Sequence, residues 1–185
     1  MVNWHPLGLT PVSDEEVIHK DTLSKLYHLR YLISDGNGNP TDKYIIIATT
    51  RPETIMADAA ICINPEDERY HWLKDKKVLI PLINKEIPVI EDSYVAMDFG
   101  TGCLKVTPAH DVNDYEIGMR HNLPVLDIID DHGRLNEKAQ ILVGEDRFDA
   151  RKKIVAMLQE AGNLEKMEDY TSPVVYSERT NAVIE

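Results

Sequence analysis

The chain lacks the features that would staple it, anchor it or mark it as a nucleic-acid protein. It has two cysteines, Cys62 and Cys103. They lie far apart in apolar, strand-like surroundings and form no metal-spaced pair, so they read as reduced, buried thiols of a cytosolic protein, and no metal is expected. Long apolar runs are missing. Stretches such as Tyr44–Ala48 fall far short of the roughly 20 residues that cross a bilayer. Nothing near Met1 has the form of a signal peptide, because Asn3, His5 and Pro6 interrupt any apolar stretch. Positive charge is scarce: 20 Lys and Arg stand against 32 Asp and Glu, a formal net charge of −12. That argues against a general nucleic-acid binder, which needs clustered cations. It leaves room for local capture of one strand end, weak and salt-sensitive if this piece acts alone. No repeat, low-complexity tract or long charge block occurs. The Gly100-Thr101-Gly102 turn is too short, and wrongly spaced, for a dinucleotide fingerprint, and no cofactor is expected.

What is present suits one ordinary core. The 185 residues are 43% apolar, enough for a single large domain. Val2 to Val17 is rich in turn and cap residues and reads as a loop-like approach. Ser24–Ser34 reads as a strand, with Tyr27, Leu29, Tyr31 and Ile33 on one side. Asp35-Gly36-Asn37-Gly38 is a strong turn, and Tyr44–Thr49 returns as a buried strand. Ala59–Ile63, Val78–Pro81, Glu86–Ile90, Cys103–Thr107 and Val125–Ile129 read as further short strands. Helices are expected over Asp111–His121 and Asp146–Ala161; Phe148, Ile154, Val155 and Leu158 share one face of the second, and Gly162 stops it. The fold class expected is α/β: a mixed sheet, closed or nearly closed into a barrel-like domain, with peripheral helices.

Two loops carry more polar chemistry than turns require. In Thr49-Thr50-Arg51-Pro52-Glu53-Thr54, the Thr50-to-Glu53 spacing is that of a capping box, and the plainer expectation is a capped strand-to-helix turn. Yet three threonines and an arginine exceed what a cap needs. At a helix start they surround free N–H groups that attract a phosphate or a developing oxyanion. The second is Gly100 to Asp114. Its Gly-x-Gly turn feeds a strand on which Cys103, Lys105 and Thr107 alternate to one face and Leu104 and Val106 to the other. Pro108 ends it and a helix starts near Asp111. There Asp111 has the form of an N-cap and Asp114 that of a first-turn acid. His110 could serve as a base, but a lone His beside a cap is more often structural. Residues alone lead to a strand edge presenting Lys105, Thr107, Asp111 and Asp114 opposite a threonine-rich turn. That suits a small ligand with an ammonium and a hydroxyl, and leaves the reaction open.

These segments resemble the editing insertion shared by the valyl-, isoleucyl- and leucyl-tRNA synthetases. The resemblance rests on Thr-Thr-Arg-Pro-Glu-Thr and on Gly-Thr-Gly…Pro-Ala-His-Asp-x-x-Asp, specific as a pair and moderate singly. Lys105 to Glu116, Asn64 to Tyr70 and the opening Val2-Asn3-Trp4 are most similar to the valyl branch. The resemblance covers essentially the whole chain, 1–185, as one editing domain. It implies that residues 1–20 and 172–185 are connecting segments towards a catalytic domain lying elsewhere. The aminoacylation motifs His-Ile-Gly-His and Lys-Met-Ser-Lys-Ser are absent, so this piece is not expected to activate an amino acid. Two departures stand out. His5 replaces the Asp usual in valyl enzymes, and Val174–Asn181 lacks the metal-type Cys pair of some relatives.

The resemblance implies a cytoplasmic hydrolase that deacylates threonine wrongly attached to the valine tRNA. Valine and threonine are near-isosteres, and an apolar pocket separates them only about 10²-fold, a magnitude known for the valyl enzyme itself rather than deduced from this sequence. A second site can instead select for the hydroxyl. By the same resemblance Asp114 binds the α-ammonium, and Lys105, Thr107 and Asp111 read the threonine side chain. Thr49, Thr50 and Thr54 line the opposite wall and hold the water or ester. Arg51 meets a phosphate near the tRNA 3′ end, and Phe99 is a stacking surface for a terminal base, unless it is a core aromatic. The implied partners are the CCA end of the valine tRNA carrying threonine and, in cis, the catalytic and anticodon-binding domains of a parent synthetase. The alternatives are an isoleucyl or leucyl editing domain, a free-standing hydrolase acting in trans, and a non-catalytic module that grips an amino acid or a tRNA end.

Overall fold

A computed structural model describes residues 1–185. The long strand β3 (Val17–Ser34) organises it. In its second half Tyr27, Leu29, Tyr31 and Ile33 alternate inward and are buried, as period-2 patterning requires. Across Asp35–Asn39 the chain returns as β4 (Pro40–Thr49), antiparallel to β3 from Tyr27↔Thr49 to Ser34↔Pro40. The opposite edge of β3 takes two partners in succession. The first is β9 (Leu164–Ser177), which pairs from Val17↔Ser177 to Leu29↔Leu164. The second is β6 (Lys77–Leu79), at Leu32 and Ile33.

From β6 the sheet continues through β7 (Glu86–Glu91), β5 (Ala60–Ile63) and β8 (Cys103–Val106). Strand β5 is parallel to β7 and antiparallel to β8. All four β5 residues are buried, as expected of a strand covered on both faces. On one side lies the main core, including Ile61 and Ile63; on the other a smaller cluster joins Ala60, Cys62, Val95, Val106 and Ile117. The path β4-β3-β6-β7-β5-β8 brings its two ends together, and β4 lies beside β8. They share no hydrogen-bonded register, so the mixed α/β sheet is curled but not a closed barrel.

Helix α1 (Val112–Arg120) plugs Ile117 into the smaller cluster. Gly118 lets it sit tight against the preceding loop: a Cβ there would lie 2.9 Å from Pro108 Cγ. Helix α2 (Arg147–Glu160) buries Ala150, Ile154 and Leu158 in the main core and packs over the short 3-10 helix Pro52–Ala57. Gly162, at φ 78, follows its end.

Three local expectations are corrected. Residues 2–17 are not loop-like: β1 (Asn3–His5) and β2 (Thr10–Val12) form a hairpin, followed by a 3-10 turn over Asp14–Glu16. Val125–Ile129 is not a strand; Leu123 to Ile128 carries no ladder, and Ile129 makes a single bridge to Leu135. Strand β9 was not expected at all. Most of its side chains face solvent, so it shows no apolar periodicity. Its partner is chosen by the open edge of β3 and by cross-strand ion pairs, Lys25 with Asp169 and His28 with Glu168. The segments 1–20 and 172–185 thus carry β1, β2, the start of β3 and the end of β9. Trp4 and Glu185 exchange backbone hydrogen bonds at 2.9 and 3.0 Å.

Candidate functional site

The turn after β4 is built by its own hydroxyls. Buried Thr49 accepts the Arg51 N–H at 3.1 Å, and Pro52 then opens the 3-10 helix with Arg51 in the cap position. Buried Thr54 donates its hydroxyl to the Arg51 carbonyl at 3.0 Å. Thr50 is half-buried. The expected Thr50–Glu53 capping box does not form. Glu53 is fully buried and accepts instead from Arg51 at 3.1 Å and from two Arg151 nitrogens at 2.8 Å. A buried carboxylate needs charged partners more than the exposed cap N–H needs an acceptor. These guanidiniums hold the Glu53 carboxyl below its usual range, although burial acts the other way.

Strand β8 supplies the facing wall. Its side chains alternate as expected: Cys103 joins the main core, while Leu104 and Val106 meet the smaller cluster. Buried Lys105 sends its ammonium to Asp58 Oδ1 at 3.1 Å, to Thr54 Oγ1 at 3.3 Å and to the Thr107 hydroxyl. Thr107 donates its hydroxyl to the same Asp58 oxygen at 2.7 Å, and Tyr31 donates to Asp58 Oδ2 at 2.6 Å. Burial, with the Asp58 charge beside it, raises the Tyr31 pKa well above its ordinary value. Lys105 therefore ties the two expected segments into one cluster.

Asp58 is its hub, and sequence reasoning missed it. The signal was present: a lone carboxylate inside Ile55-Met56-Ala57-Asp58-Ala59-Ala60-Ile61-Cys62 must be paired if that run is buried. Asp58 is fully buried, and so is every neighbour in that run or nearly so.

The two acids of the second loop divide their roles. Asp111 is exposed and N-caps α1, its Oδ1 accepting from Asn113 N at 2.8 Å and Asp114 N at 3.0 Å. Asp114 sits one turn in, is only 7% exposed, and accepts the Thr107 backbone N–H at 2.8 Å. Burial pushes its pKa up to about 7. Lys105 and the Thr107 N–H pull it down, while the Asp111 and Asp58 charges add to the rise. It is a carboxylate short of a cation.

The remaining expected residues lie further out. The Arg51 guanidinium is about one-third exposed (32%) and is bonded within the chain to Glu53, to the His110 carbonyl at 3.2 Å and to Glu185. Burial alone would lower its pKa, but the Glu185 and Glu53 carboxylates hold it above the ordinary value. A phosphate at Arg51 would have to share these donors. Phe99 is 69% exposed, so the core-aromatic alternative is set aside. His110 accepts the Ile128 N–H on Nε2 at 3.2 Å, a structural use. Both cysteines are buried free thiols, pushed up to about 12 by burial. A cleft of about 410 Å³ lies elsewhere, at the β1–β2 end, between His5, Glu16, Ser177 and Arg179.

Comparison with known proteins agrees with this geometry. The family model described as the leucyl-tRNA synthetase editing domain matches residues 66–169, more than half of the chain. The whole chain aligns with valine–tRNA ligases: 60% identical to those of Phocaeicola vulgatus and Bacteroides thetaiotaomicron, and 51% to that of Thermotoga maritima. It spans 21% of the length of each. Among solved structures, the leucyl-tRNA synthetase of Agrobacterium radiobacter, in a ternary complex with tRNA and LeuAMS, matches 86% of this chain and 21% of its own. The TM-score is 0.54 at 21% identity, a likeness of fold. With the threonine-rich turn and the Lys105–Asp114 wall joined in one cluster, and with these matches, the chain belongs to the aminoacyl-tRNA synthetase editing-domain family.

Proposed function

We propose that this domain hydrolyses threonine from mischarged valine tRNA after transfer, as the proofreading part of a cytoplasmic valyl-tRNA synthetase. One observation carries the reading. Asp114, buried with a pKa near 7, sits one residue contact from Lys105 and the threonine turn and lacks a cationic partner. An α-ammonium supplies that partner through a charge-assisted hydrogen bond and anchors the ester there. Lys105, Thr107 and Asp111 then read the side chain. Threonine offers them a hydroxyl; valine leaves polar groups unpaired. Of the three Lys105 bonds, the 3.3 Å one to Thr54 is the longest and the one a substrate hydroxyl displaces.

The ester needs no covalent enzyme intermediate. Water, oriented by Thr49, Thr50, Thr54 and nearby N–H groups, attacks the carbonyl carbon. The bond to the ribose oxygen breaks, the proton passes to that oxygen, and free threonine and deacylated tRNA leave. This is positioning and electrostatics more than base catalysis. Arg51 offers its exposed edge to a phosphate, and Phe99 a face to a terminal base. Most of the tRNA grip belongs to the catalytic and anticodon-binding domains in cis. The adjacent Trp4 and Glu185 backbones suit a module whose two connecting segments, 1–20 and 172–185, run side by side towards them.

The test is incubation of the purified chain with threonyl-, isoleucyl- and leucyl-charged tRNAs, scored for released amino acid. Selective release of threonine from valine tRNA supports the reading. Release of another amino acid moves the domain to a sister specificity, and tight binding without release makes it a binding module.

A further inference from the structure

The hydrogen-bond directions around Asp58 have a consequence for selectivity. Its carboxylate is acceptor-only, so both the Thr107 hydroxyl and the Lys105 ammonium must point protons at Oδ1. Tyr31 closes Oδ2, so with all three neighbours donating, the carboxylate has no reason to rotate. Thr107 has one lone pair engaged by Lys105 and its only proton committed to Asp58. Towards a ligand it can act only as an acceptor, while Lys105 can act only as a donor. The pair thus presents one acceptor beside one donor, the complement of a single hydroxyl, which both gives and takes a hydrogen bond.

We propose that Asp58 is the positioning residue that sets this polarity, and so makes the side-chain subsite specific for a β-hydroxyl amino acid. It touches no substrate and acts through Lys105 and Thr107. The inference rests on the editing reading above. It also predicts the sign of a swap. In Asp58→Asn the amide can donate to Thr107, which frees that hydroxyl proton to turn outward. The subsite then offers two donors, and a substrate hydroxyl can satisfy only one of them without leaving its own proton unpaired.

The experiment measures kcat/KM for deacylation of threonyl- and valyl-tRNA by the chain, by Asp58→Asn, by Lys105→Met and by the double variant. Folding is checked by circular dichroism. Asp58→Asn is expected to lower the threonine-to-valine ratio roughly 10–100-fold, the scale of one mis-set buried hydrogen bond. Because Asp58 acts through Lys105, adding Asp58→Asn to Lys105→Met is expected to change the ratio less than 3-fold further. The double variant also lacks the unpaired buried ammonium that could unfold Asp58→Asn alone. Equal losses on both esters, with the ratio unchanged, would reduce Asp58 to a structural role and overturn the inference. Additive losses in the double variant would overturn it too. A starting chain that cleaves neither ester, or both alike, overturns instead the editing reading on which it rests.

Discussion

The backbone N–H of Thr107 donates to the Asp114 carboxylate at 2.8 Å. A buried acid is poorly compensated by one amide, which is why burial wins and its pKa rises to about 7. The strand that carries the specificity groups also holds the acid for the ammonium, so both ends of a small amino acid are gauged from one residue.

Asp114→Asn keeps the shape and the acceptor for Thr107 but loses the charge. Deacylation of threonyl-tRNA is expected to fall at least 100-fold, measured as single-turnover release. Stability moves the other way. The ordinary pKa of 3.8 is raised to about 7 on folding, so between those values the folded chain keeps a proton that the unfolded chain has lost. Stability therefore falls as pH rises through that window, and the variant escapes the loss. Urea midpoints at pH 8 should favour Asp114→Asn by roughly 1–3 kcal/mol. An unchanged turnover would remove the ammonium role.

Glu185 shows the opposite linkage. Burial raises its pKa, but Arg51, His110 and Arg147 outweigh this and hold it at about 2, below the ordinary 4.5. Its stabilisation is complete above pH 4.5 and fades as pH falls from there towards 2. Glu185→Gln should cost roughly 2–3 kcal/mol at pH 7 and flatten that part of the acid-unfolding curve. Parallel acid curves for the two proteins would contradict the assignment.

Asp111 has a cap role and a proposed reading role, and two substitutions separate them. Asp111→Ser retains a capping oxygen, whereas Asp111→Ala loses it, at about 1 kcal/mol. Both remove the carboxylate and should erode the preference for threonine over valine. If thermal melts separate the variants while the ratio stays put in both, Asp111 is a cap alone.

Phe99 is exposed enough that Phe99→Ala should leave stability within about 0.5 kcal/mol. Loss of a base-stacking face, worth ~1–3 kcal/mol, should raise KM for the mischarged tRNA about tenfold or more with little change in kcat. An unaltered KM would leave the residue without a role in tRNA capture.

Much of the architecture was legible where burial imposes a period. The inward set of β3, the alternation along β8 and both helices follow from apolar spacing that water enforces. The elements that misled or escaped are those where solvent makes no such demand. Strand β9 is largely exposed, and the β1–β2 hairpin is held by backbone pairing. The site divides the same way. Lys105, Thr107 and Asp114 stood out by residue type and spacing, and the structure gathers them. The capping reading of Thr50 and Glu53 failed because Arg151, 98 positions from Glu53, reaches the buried carboxylate first.

By itself, the chain of residues determined which strands and helices form and which side chains could carry charge and hydroxyls towards a small polar ligand. Local sterics and the removal of apolar groups from water act over a few residues, and their pattern is written in order along the chain. Tertiary structure alone decided the pairings: Asp58 with Lys105, 47 positions away, and Arg51 with Glu185, 134 away. The strength and direction of those bonds come from desolvation, which exists only once the curled sheet and α2 have shut water out.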